Sequence, residues 1–139
     1  MDTLELFIEN FKKLSMHIYK NPKYERIEIT KLISNIHNEF KILKATQIDL
    51  NELLSIYYLL LDNYYNFEKD MLIDQLLQLY PGMTLDIAEN IIVDTKLPKN
   101  ILIMIGSEDQ YNIANSTHMR LVFVKKCILE INNVMKLKI

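Results

Sequence analysis

Two glycines and three prolines are all the backbone punctuation in 139 residues. A β-sandwich or barrel needs turn residues every 8–12 positions or so, and glycine and proline supply many of them. A chain with only Pro22, Pro81, Pro98, Gly82 and Gly106 at its disposal favours long uninterrupted segments. Helices meet that condition. The expectation is an all-α fold, an irregular bundle of six or seven helices forming a single domain over residues 1–139. That length buries roughly two-thirds of the unfolded surface.

Periodicity places the helices. Leu4, Phe7, Ile8, Phe11, Leu14 and Ile18 recur at spacings of three and four, with Asp2 or Thr3 as cap and Asn21-Pro22 as stop. A second stripe, Ile29, Leu32, Ile33, Ile36, Phe40 and Leu43, predicts a helix over about 25–44. Asp49 followed by Glu52 reads as an acidic capping box opening a third helix near 50–65. Asn66 reads as the restart of a fourth, which "LYPGM" ends. Thr84 caps a fifth to about Val93, and Pro98 starts a sixth that closes near Gly106. The polar run "GSEDQYNIANS" reads as a loop, with Ser116 capping a last helix from about 117 to 136. The β-branched run "IIVDTKLPKNILIMIG" also fits two short strands, and "RIEIT" carries the same ambiguity.

Charge and composition narrow the function. The net charge of −2 divides into +2 over residues 1–48, −8 over 49–94, 0 over 95–115 and +4 over 116–139. That balance does not suit a dedicated nucleic-acid binder, which is usually strongly basic. Single Cys127 leaves no partner for an intramolecular disulfide, which fits a reducing, cytoplasmic setting. The start "MDTLELFIENFKK" lacks the pattern of a signal peptide, and no apolar run of 18 residues spans a membrane. Lysine outnumbers arginine 14 to 2, and Ile and Asn total 33, a usage that points to an AT-rich genome.

No motif announces catalysis. Gly82 and Gly106 stand alone, so there is no phosphate loop. His17, His37 and His118 lack metal-ligand spacing, although an antiparallel pairing of the first two helices would let His17 approach His37. Asp70 and Asp74, one turn apart, are a weak cation signal within a solvated acidic face. Cys127 reads as a buried, inert thiol. The tyrosine pairs of "IYYLLLDNYYNF" lie among leucines with no interleaved Lys or Arg. They read as packing, with Tyr57 and Tyr64, or Tyr58 and Tyr65, mostly buried. No catalytic residue, cofactor or metal is therefore assigned, and the chain does not read as an enzyme.

One segment extends the reading by likeness. "IVDTKLPKNI" at 92–101, then Arg120, then "LEINN" at 129–133, resembles a family of small archaeal all-helical proteins of uncharacterised function. The matching positions are Asp94, Thr95, Pro98, Lys99, Asn100 and Ile101, and later Arg120, Glu130, Ile131 and Asn133. Leu102 and Ile103 stand where that family is basic, and its Pro-rich tail is missing. The resemblance implies a helical fold and supplies no statement of activity.

The last helix supplies the candidate site. Leu121, Val124, Ile128, Ile131 and Met135 form its seam, and flanking apolar residues cover more of its circumference than one neighbour needs. That pattern predicts a helical module for protein–protein interaction or self-association, with the acidic 49–94 region as a complementary surface. The alternative is a nucleic-acid- or ribosome-associated accessory factor. It would use Lys99, Arg120, Lys125 and Lys126 as basic contacts, with Lys12, Lys13, Lys20 and Lys23.

Overall fold

The computed structural model describes residues 2–20, 22, 25–46, 49–93 and 96–137. Those residues form six helices and no strand: α1 (Thr3–Lys20), α2 (Arg26–Leu43), α3 (Asn51–Leu79), α4 (Leu85–Ile92), α5 (Lys99–Ile105) and α6 (Glu108–Leu137). The fold is all-α. Neither ambiguous β-branched stretch forms a strand among the described residues: "RIEIT" begins α2, residues 91–92 end α4 and residues 99–105 form α5. No helix among the described residues is long and apolar enough to cross a membrane.

Local chemistry explains most boundaries. The Asp2 carboxylate accepts the Glu5 N–H at 2.8 Å, closing the first turn of α1. Thr84, in extended conformation, accepts the Ile87 N–H at 3.3 Å and starts α4. Asp49 accepts the Asn51 N–H at 3.0 Å at the head of α3. After α3, the Met83 N–H bonds the Tyr80 carbonyl at 3.2 Å across Pro81-Gly82. Gly82 has φ +82°, so the turn has the Pro-Gly pattern of type II.

Two boundaries depart from the sequence reading. α3 does not stop near 65 and restart at Asn66; it runs unbroken for 29 residues. An asparagine in a helix interior costs only about 0.7 kcal/mol. Tyr64, Glu68, Leu72 and Leu76 keep one face fully buried straight through it. The other departure is at α6, which begins at Glu108 rather than 117. Ser107 and Gln110 form a reciprocal capping box: the Ser107 hydroxyl accepts the Gln110 N–H at 3.1 Å, and the Gln110 side chain accepts the Ser107 N–H at 2.7 Å. Gly106 leaves room for this corner, since a Cβ there would sit 2.4 Å from Gln110 Oε1 and 2.5 Å from the Tyr80 ring. Ser116 therefore lies within the helix instead of capping it.

The chain divides into two compact units, Met1–Tyr64 with Lys126–Ile139, and Tyr65–Lys125. The divisions fall inside α3 and α6. In the first unit α1 and α2 run antiparallel: His17 near the end of α1 pairs with Glu25 before α2 at 2.5 Å, and Asn10 donates to Glu39 late in α2. Phe7, Phe11, Leu14 and Ile18 face inward from α1, and the whole predicted stripe of α2 is buried. Tyr57 and Tyr64 are fully buried, while Tyr58 and Tyr65 are half-buried. Phe7 and Phe11 meet the Tyr57 ring edge-on at centroid distances of 6.5 and 6.3 Å. The second unit has its own core of Leu72, Leu76, Tyr80, Ala88, Leu102, Ala114 and Leu121, with Ile91, Ile92, Leu97 and Tyr111 around it.

Candidate functional site

The seam of α6 turns inward. Leu121, Val124, Ile128 and Ile131 are buried and Met135 is half-buried, so this stripe serves as core within the single chain. The apolar residues that α6 leaves exposed are Ile113, Met119, Val122 and Leu129. Two of them, Met119 and Val122, line a common groove in the second unit.

That groove encloses about 620 Å³, within the usual range of roughly 300–1,000 Å³ for ligand pockets. One wall is a single face of α6: Tyr111, Asn115, His118, Met119, Val122 and Phe123 follow the helical repeat. The other is the segment joining α4 to α5, through Lys96 and Leu97, with Lys99 opening α5. Leu97, Tyr111 and His118 are buried and form the floor, whereas Met119 is 63 % exposed and Val122 41 %. Lys96 and Lys99 are exposed at the rim. The Lys99 ammonium lies 5.7 Å from the centroid of the Tyr111 ring, a cation–π distance that positions its charge over the groove wall. The result is a largely apolar trough with a positive edge.

The remaining basic residues lie in other settings. Arg120 reaches the fully buried Glu68 carboxylate at 3.6 Å and donates to the Ser116 hydroxyl at 3.0 Å. A buried carboxylate strongly favours a neighbouring guanidinium, which gives Arg120 an internal role. Lys125 lies over the Tyr65 ring at 5.3 Å, and Lys126 is exposed. Of the basic candidates on the second unit, Lys99 lines this groove, and Arg120 and Lys125 are not among its lining residues.

The first unit contains a partly buried polar cluster. His37 Nε2 bonds the Glu130 carboxylate; a carboxylate only accepts, so the proton sits on Nε2. The His37 bond holds Glu130 below the ordinary carboxylate range against the opposing effect of burial, with Lys41 and Lys126 adding to it. Burial pushes the Cys127 thiol up to about 12, and the Glu130 charge adds to the effect. It also pushes the Tyr57 hydroxyl well above its usual value. A thiol in that state is a poor nucleophile. Glu39 is raised by burial, with the Asn10 amide opposing.

His17 and His37 have separate partners. The α1–α2 hairpin forms, but His17 is engaged by Glu25 and His37 by Glu130. No group of three or more His, Cys, Asp or Glu among the described residues is placed to hold a metal ion. Asp94 and Thr95, part of the segment resembling the archaeal family, lie outside the described residues. No protein-family model, curated protein or solved structure matches the chain.

Tyr111 and Asn115 escaped the sequence reading because residues 106–116 read as a loop, while Lys96 and Met119 carried no local signal that set them apart. The signal that would have found Tyr111 and Asn115 is the Ser107–Gln110 capping box. It moves the start of α6 back and aligns Tyr111, Asn115, His118 and Val122 on one face.

Proposed function

We propose that the chain is a non-enzymatic helical module that binds protein, another chain or a second copy, through the groove of its second unit. The observation that carries this reading is the pairing of Met119 and Val122, both substantially exposed, in a preformed trough of about 620 Å³. Exposed apolar residues scattered singly need no explanation, whereas contiguous ones inside a concavity mark contact sites. Nucleic-acid binding is the poorer reading, because Arg120 faces Glu68 and Lys125 lies over Tyr65. The buried free Cys127 is compatible with a reducing, intracellular setting.

The test is recovery of a partner by wild type and by Val122→Glu from the native host, with helicity of both checked by circular dichroism. A partner bound by wild type and lost by the folded variant supports the groove. Equal recovery by both contradicts it. A steep fall of RNA affinity with salt would instead favour phosphate contacts.

A further inference from the structure

Resting on that reading, we infer that the occupant of the groove is α4 of a second copy of this chain, exchanged reciprocally in a two-fold dimer. α4 is covered on one side only. Ala88, Ile91 and Ile92 are buried, while Leu85, Glu89 and Val93, spaced four apart along one row, are exposed. Val93 is 80 % exposed and Leu85 51 %. Asp86 lies beside this row and is also exposed. The ridge is therefore apolar at both ends and acidic between them.

The groove is the complement of that ridge. Its walls offer Met119, Val122 and Phe123 to apolar side chains, and Lys96 and Lys99 offer positive charge at the rim. The ridge carries Asp86 and Glu89 with no lysine or arginine anywhere from 70 to 95. Opposite charges across a contact fix register and suppress wrong pairings.

Position favours closure. A two-fold interface uses the same patch on both subunits, so the patch must contain both the ridge and the groove. Val93 at the end of α4 and Lys96 at the groove rim are three residues apart, at most about 11 Å along the chain. Ridge and groove are thus near neighbours on one unit. One two-fold contact would cover Leu85 and Val93 of each copy and the open groove of the other.

Two charge-reversed proteins test the inference, Lys96→Glu/Lys99→Glu in the groove and Asp86→Lys/Glu89→Lys on the ridge. All four positions are exposed, so each protein should keep wild-type helicity. Sedimentation should give a wild-type dimer and each reversed protein a monomer, with association weakened at least about tenfold. Mixed together, the two should regain a dimer, because each groove then meets a ridge of opposite charge. A wild type that is monomeric at every attainable concentration overturns the inference. So does a mixture that stays monomeric, or one that grows into larger assemblies, which would mean head-to-tail contact. If wild type is monomeric yet Val122→Glu still loses a partner from the native host, the second-copy inference fails and the groove reading stands. If Val122→Glu loses nothing in either assay, both fail.

Discussion

The two units differ in the helices that each contains whole, two long ones in the first and two short ones in the second. In the first, two 18-residue helices bury Phe7, Phe11, Leu14 and Ile18 of α1 and the whole stripe of α2, with Tyr57 packed edge-on against Phe7 and Phe11. In the second, α4 and α5 are only eight and seven residues long. Short helices present few side chains per face, and the core they help build leaves Leu85, Val93, Met119 and Val122 in the open. Both units leave large apolar residues exposed, Met16, Tyr19, Ile27 and Leu59 among those of the first and Val93, Met104 and Met119 among those of the second. In the second, however, Met119 and Val122 lie within a groove. The groove of the second unit combines both kinds of element, one face of the 30-residue α6 and the connection between the two short helices.

The largest effect should come from the first unit's interior. Tyr57→Ala removes a fully buried ring packed against Phe7 and Phe11 and should cost about 3–5 kcal/mol in a denaturant titration. An unchanged midpoint would mean that this unit is no more tightly packed than the other. Next comes the second unit's buried ion pair. Arg120→Met leaves Glu68 without its guanidinium, and the loss should be about 2 kcal/mol. That is below the roughly 3–5 of a fully enclosed pair, because the arginine is partly exposed and 3.6 Å away. A loss near zero would show Arg120 free for an external ligand and reopen nucleic-acid binding.

Much of this contrast could be read from residues. Ile29, Leu32, Ile33, Ile36, Phe40 and Leu43 announced α2, and each is buried. Thr84 announced α4 because extended threonine before an apolar run has few other uses. Asn66 misled, since its preference for helix ends is worth far less than the packing of Tyr64, Leu72 and Leu76 around it. Ser107 and Gln110 were legible as a capping box but stood in a run polar enough to pass for a loop. The α6 seam was correctly apolar, yet periodicity states only that a face is covered. Leu121, Val124, Ile128 and Ile131 are covered within the chain. The groove was not legible, because it depends on Lys96 and Leu97 folding against α6, a long-range packing that no local period encodes.

A smaller effect sharpens the account of α6. Ser107→Ala removes one half of the capping box and should cost about 1 kcal/mol. If hydrogen exchange then shows the stretch from Glu108 to Ser116 opening while the remainder of α6 stays protected, the cap is what holds the groove wall in place. No change in exchange would mean that Tyr111 and Ala114 anchor it unaided.

The smallest effect is a dependence on pH confined to the first unit. Glu130 has its carboxyl lowered by the His37 hydrogen bond, so its contribution to stability is present above the ordinary value of 4.5 and is lost as pH falls through the lower folded value. Wild type should exceed Glu130→Gln in stability at neutral pH, and the difference should shrink below that ordinary value. A difference that grows on acidification would have the wrong sign for a carboxylate held by His37.

Met16 in the first unit and Met119 in the second are 60 % and 63 % exposed, equal in accessibility and different in setting. Their methyl NMR signals, followed in wild type as the protein is diluted, test most directly whether the groove is where two copies meet. The Met119 signal should move with concentration, and the Met16 signal should stay fixed. A Met119 signal that holds still across the dilution series, or a Met16 signal that moves in its place, would contradict the assignment of the groove as the contact surface.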